Sequence, residues 1–169
     1  SAGTYYAGIT AISDYAYNSE EYGLTVTAEA GDLSGVETEG NDSFDTADAI
    51  VSGTEVKGQL SSSTDWDVFA ISASSQGEIS INFDAPTNSS YSNYFNVVLF
   101  DSYGNVLAAQ KTGEDLSFSV GAESAGTYYA GITAISDYAY NSEEYGLTVT
   151  AEAGDLSGVE TEGNDSFDT

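Results

Sequence analysis

Residues 1–46 of the chain recur without a change as residues 124–169, a period of 123 residues. No other feature constrains the fold as much. Whatever unit is repeated must close within 123 residues, and the repeated stretch must find equivalent surroundings in each copy. With 169 residues in all, there is room for one ordinary domain and about a third of another. The chain reads as a window cut from a tandem array, and the lack of a signal peptide fits a cut from its middle.

Charge narrows the partners. The chain holds 28 acidic residues against two basic ones, Lys57 and Lys111, for a net charge of −26. Phosphate binding needs Lys or Arg, so nucleic acid is excluded as a partner. An anionic membrane surface is excluded for the same reason, and no apolar run is long enough to span a bilayer. A compact chain this acidic repels itself unless counter-ions bind. With no cysteine, no disulfide can brace it, and a metal ion is the usual substitute. Hydrophobic residues still make up 40%, enough to separate this chain from a disordered acidic tail.

The periodicity is that of strands throughout. Residues 4–12, 22–28, 56–60, 67–72, 78–84, 95–100, 106–110 and 116–120 are β-rich, and 127–135 and 145–151 repeat the first two. Ile79, Ile81 and Phe83 alternate with polar residues. So do Leu116, Phe118 and Val120, and Tyr145, Leu147 and Val149. Residues 95–100 are apolar except for Asn96, the pattern of a strand buried on both faces. Residues 101–105 form a turn by composition, and residues 43–50 suggest a short helical turn capped by Ser43. About eight short strands predict an all-β, antiparallel β-sandwich.

Catalysis finds little to work with. Without His or Cys, neither a Ser-His-Asp nor a Cys-His arrangement can form, and zinc sites of the N/S kind are equally impossible. The chain is expected not to be an enzyme. Calcium, which takes about 6–8 hard oxygens, fits better. Glu37, Glu39 and Asn41 sit at i, i+2 and i+4, on one face of an extended segment. Asp42 follows them, and Asp65 and Asp67 form a second i, i+2 pair just before a strand. Spacing alone leaves two possibilities open, calcium ligands or the solvated acids of a linker and a turn. The 13 tyrosines divide the same way. Strand positions account for many of them, while Tyr91 and Tyr94, in the polar loop 85–94, are candidates for ligand contact.

The order of these features resembles a known family. Glu37-x-Glu39-x-Asn41-Asp42-Ser43-Phe44-x-Thr46-Ala47 opens the unit. Gly58-x-Leu60, Asp65-x-Asp67-x-Phe69, Gly77-x-Ile79-x-Ile81 and Leu99-x-Asp101-x-x-Gly104 follow. Ala125-Gly126-Thr127-Tyr128-Tyr129 and Tyr145-x-Leu147-x-Val149 close it. The set is similar to the bacterial pre-peptidase C-terminal domain family, which includes the collagen-binding domains of clostridial collagenases. The resemblance implies a jelly-roll-like sandwich of about eight strands. It also implies that Glu37, Glu39, Asn41, Asp42, Asp65 and Asp67 chelate Ca²⁺ and clamp the linker to the sandwich. Collagen binding is not carried over, because no residues of this chain are matched to the aromatic positions that serve it.

This divides the chain into closing strands of a preceding repeat (1–30), a linker (31–43), a complete repeat (37–151), and a linker with the start of the next repeat (152–169). Identical tandem copies resemble the extender region of RTX-type bacterial surface adhesins. The expected function is therefore that of a calcium-stabilised spacer on the outside of a bacterial cell, with neighbouring repeats of the same chain as its partners. The alternative is a module that binds carbohydrate or fibrous protein through exposed tyrosines. One body and two copies of the closing strands leave one copy spare, so strand exchange or a dimer is a further expectation. Loop closure favours residues 127–151 as the copy that closes the body.

Overall fold

The computed structural model describes residues 7–10, 23–25, 35–87, 93–137 and 139–154. The chain divides into two compact units, Ser1–Asp32 and Leu33–Thr169. In the first, the described residues belong to no helix or strand; the strands expected over 4–12 and 22–28 otherwise lie outside the described residues. The described residues of the second unit form a sandwich of nine strands: β1 (Asp48–Ala49), β2 (Glu55–Gly58), β3 (Trp66–Ala73), β4 (Gly77–Asp84), β5 (Phe95–Phe100), β6 (Val106–Thr112), β7 (Leu116–Ala122), β8 (Gly126–Ala134) and β9 (Tyr145–Ala153). Among the described residues there is no helix.

The strands form two sheets, β1-β3-β8-β5-β6 and β2-β9-β4-β7. Every pairing is antiparallel except β1 with β3. Setting β1 aside, the orders 3-8-5-6 and 2-9-4-7 are those of a jelly roll: every connection from β2 to β9 crosses between the sheets except the β5–β6 hairpin. Alternation decides which side chains meet in the middle. Phe69 and Ile71 of β3, Ile79, Ile81 and Phe83 of β4, and Phe95, Val97 and Leu99 of β5 all lie in the core. Tyr128, Ala130 and Ile132 of β8 join them, with Tyr145, Leu147 and Val149 of β9. The closing strands are thus built from the downstream copy of the repeated stretch. β8 lies between β3 and β5, and β9 between β2 and β4.

One local expectation is corrected. Residues 43–50 form no helical turn. Thr46 N–H donates to Ser43 O at 3.1 Å, closing a tight turn, and residues 48–49 then run parallel to β3, with Asp48 opposite Phe69. Pairing with an existing strand edge gives these backbone groups partners that an isolated helical turn could not supply.

Residues 35–49, the arm, tie the two sheets together. At one end Val36 makes a parallel bridge to Lys57. Lys57 N–H donates to Gly35 O at 2.7 Å and Glu37 N–H to Lys57 O at 2.8 Å, which occupies the free edge of β2. At the other end β1 covers the edge of β3. The segment between the two attachments carries the acidic motif.

Candidate metal centre

The body side of the site is the start of β3. A tight turn over residues 61–64 precedes it, and the turn is held by the Asp65 side chain. Ser61 N–H donates to Asp65 Oδ2 at 2.5 Å and Trp66 N–H to Asp65 Oδ1 at 3.0 Å. Asp65 is 6% exposed and Asp67, at the first inward position of β3, is 0% exposed. Asp67 Oδ2 accepts the Tyr145 hydroxyl at 2.5 Å. Asp67 Oδ1 finds no donor among the described residues.

The arm side brings up Asn41 and Glu37. Asn41 is 1% exposed, fixed through its backbone carbonyl, which accepts Val68 N–H at 3.1 Å. Its Nδ2 donates to Glu37 Oε2 at 3.3 Å, and Gln59 N–H donates to Glu37 Oε1 at 3.3 Å. Asn41 Oδ1, like Asp67 Oδ1, is buried without a donor. Two orphaned oxygens at one junction are unusual, because a buried acceptor left without a partner costs about 1–3 kcal/mol.

The electrostatics say the same. Burial, with the charges of Glu37, Asp65 and Glu39 added to it, pushes the Asp67 carboxyl up to about 8. Burial likewise raises Glu37, helped by Glu39 and Asp65. Glu39 is raised by burial and by the charges of Asp65 and Asp42. Tyr145 is pushed well above the usual phenol range by burial and by the Asp67 charge next to it. Negative groups held this close raise one another's pKa by mutual repulsion.

The sequence-derived ligand set is gathered only in part. Glu37, Asn41, Asp65 and Asp67 meet where the arm crosses the body, whereas Glu39 and Asp42 are exposed at its rim. The expectation that Glu37, Glu39 and Asn41 share one extended face fails at Gly40, whose φ of 97° turns the chain there. Among the described residues, no three acidic side chains stand close enough to hold a metal ion as they are. The chemistry of the donors nevertheless fits a hard cation. All are oxygens, and two of the buried ones, Asn41 Oδ1 and Asp67 Oδ1, are unspent.

Two residues outside the motif shape the site. Tyr145 falls in the strand alternation as a core residue, and nothing in that pattern announces its hydroxyl. Gly58 makes room for the ring, since a Cβ there would lie 2.4 Å from Tyr145 Oη. Gly58→Ala is expected to displace Tyr145 from Asp67 and to destabilise the fold by about 1–3 kcal/mol, the range for overpacking; chemical denaturation checks this. Of the tyrosines proposed for ligand contact, Tyr94 is half-buried against the core. Its backbone joins Thr112 and Ile135 through hydrogen bonds. Tyr91 lies outside the described residues.

No family model matches the chain, and no curated protein matches it. Among solved structures it is similar to the 1.0 Å crystal structure of the pre-peptidase C-terminal domain of a collagenase from Bacillus anthracis. Identity is 21%, the TM-score is 0.50, and the match covers 62% of this chain and 94% of that one. At this identity the likeness is one of fold: a pre-peptidase-C-like β-sandwich.

Proposed function

We propose that the chain is a non-catalytic spacer repeat of a large bacterial surface adhesin, stiffened by calcium where its arm meets the sandwich. The observation that carries this reading is the pair of buried, unpartnered oxygens, Asn41 Oδ1 on the arm and Asp67 Oδ1 on the body. An ion accepted by both would join two segments that otherwise repel. Glu37 and Asp65 would complete the inner ligands, and Glu39 and Asp42 would approach from the rim. Calcium supplies positive charge and oxygen coordination there. The chain supplies burial, the Tyr145 hydroxyl that orients Asp67, and the β2 edge that holds residues 35–37. The spacer role is supported by the unchanged recurrence of 46 residues, since an element whose function is length gains from identical units. The cell exterior, where calcium is plentiful and an array can project, is the compartment this role requires.

The test is thermal unfolding with calcium and with EDTA, alongside small-angle scattering of a two-repeat array. Calcium is expected to raise the Tm and to lengthen the array, and EDTA to reverse both. Asp65→Ala combined with Asp67→Ala is expected to abolish most of the calcium response. A Tm indifferent to EDTA removes the calcium reading. The alternative, a ligand-binding module, draws on Tyr103, which is 89% exposed on the β5–β6 turn. Retention of the chain on a glycan or collagen matrix, lost in Tyr103→Ala, would favour it.

A further inference from the structure

Trp66 is the only tryptophan in the chain, and it stands between Asp65 and Asp67. Strand alternation sends Asp67 inward and Trp66 to the outer face of the five-stranded sheet. On that face Trp66 takes part in an aromatic cluster roofed by a residue of the arm. Phe44 lies 5.6 Å from Trp66, 5.2 Å from Phe100 and 4.7 Å from Tyr129, centroid to centroid, with edge-to-face geometry toward the first two. Trp66 and Phe100 are 6.2 Å apart.

The receptor for Phe44 is cut to shape by two glycines. Gly131 pairs with Val68 on one side and Val98 on the other. A Cβ on it would lie 2.7 Å from Trp66 Nε1 and 3.1 Å from Phe100 Cε2, so the two rings can cover this position only because it has no side chain. Gly104, in the turn after β5 with φ of 84°, would place a Cβ 3.1 Å from Phe44 Cε2. Val68 points to this outer face and is 0% exposed; its N–H is the donor to Asn41 O.

The arm thus grips the start of β3 from both faces. Asn41 lies buried on the acidic side, and Phe44, three residues later, lies on the aromatic side within the turn over residues 43–46, which Thr46 N–H to Ser43 O closes. The acidic grip works against itself while no cation is present, because Glu37 and Glu39 on the arm face Asp65 and Asp67 on the body. The aromatic grip is indifferent to charge and to metal, and ring pairs of this kind contribute beyond the area they bury.

We propose that Phe44 is the positioning residue of the site: its clamp on Trp66, Phe100 and Tyr129 seats the arm before calcium arrives and fixes where Asn41 stands against Asp67. The metal then joins a half-assembled site and does not have to order a free arm, which lowers the cost of binding. The step to metal affinity rests on the calcium reading above; the seating of the arm does not.

The experiment compares the full chain with Phe44→Ala and Phe44→Leu, by amide exchange of Val68, Trp66 emission, and calorimetric titration with calcium chloride. In calcium-free buffer, Phe44→Ala is expected to speed Val68 exchange at least about tenfold and to shift Trp66 emission to the red. Its calcium affinity is expected to fall about tenfold with unchanged stoichiometry, and Phe44→Leu to recover most of each loss. A lowered Tm with unaltered Val68 exchange and unaltered affinity overturns the proposal and leaves Phe44 as packing only. If the unmodified chain takes up no calcium, the calcium reading fails, and Val68 exchange alone decides whether Phe44 seats the arm.

Discussion

Leu147→Ala is expected to destabilise the sandwich by about 3 kcal/mol, whereas Leu24→Ala, at the identical position of the upstream copy, is expected to stay within about 0.5 kcal/mol. The two leucines have the same neighbours in sequence and opposite surroundings in space. Leu147 is 0% exposed, in a strand flanked on both sides, opposite Val56 of β2 and Phe83 of β4. Leu24 is 55% exposed. Removing three heavy atoms from a packed core leaves a cavity whose lining loses its contacts, while truncating an exposed leucine leaves none. In thermal unfolding the difference is roughly 10 °C of Tm for a domain of this size. Equal shifts for the two variants would mean that either copy can complete the body. A shift for Leu24→Ala alone would mean that the upstream copy does.

That pair of leucines also marks what the sequence could not decide. Two identical stretches fit the body equally well by composition, pattern and volume; only the connections differ. β7 ends at Ala122 and β8 begins at Gly126, so the downstream copy enters the sheet after a three-residue link. The sandwich itself was legible from alternation. The pattern of residues 95–100 predicts a strand with the bounds that β5 has, because an apolar run between a polar loop and a turn leaves few alternatives. Residues 43–50 depart from the helical turn their sequence suggests because the capping signal at Ser43 is local, whereas the pairing of β1 with β3 is a tertiary event that no local signal records. The acidic motif was legible as a set and not as a geometry. Strand spacing put Glu39 beside Asn41, and Gly40 at positive φ turns the chain between them. Alternation around Asp65, Trp66 and Asp67 places the ring opposite the acids, but the aromatic clamp has no local signal, because Phe44 draws its partners from three strands distant in sequence, β3, β5 and β8.

In the calcium-free chain, stability is expected to fall as the pH rises from about 5 to 8, and calcium is expected to reverse that slope. The sign follows from Asp67. Its carboxyl titrates near 8 in the folded chain against a usual value of 3.8. Between those two values the folded chain holds a proton that the unfolded chain has released. The contribution is complete below the unfolded value, is lost progressively as the pH climbs, and is gone above the folded one. One such group sets a limit of about 1.4 kcal/mol per pH unit. Glu37 and Glu39, both raised mainly by burial, act in the same direction. The groups facing Asp67 supply no positive charge to offset this: Glu37, Glu39 and Asp65 are acids, and Tyr145 donates a single hydrogen bond. A bound cation changes the balance, because coordination requires the carboxylates ionised. Calcium uptake near pH 6.5 should then release protons, measurable as a dependence of the binding heat on the ionisation enthalpy of the buffer. Asp67→Asn keeps an oxygen for Tyr145 and cannot ionise. It should flatten the pH slope of the calcium-free chain and weaken calcium binding together. A variant that flattened the slope while binding calcium as before would separate the buried acid from the metal and move the site toward Glu37 and Asp65.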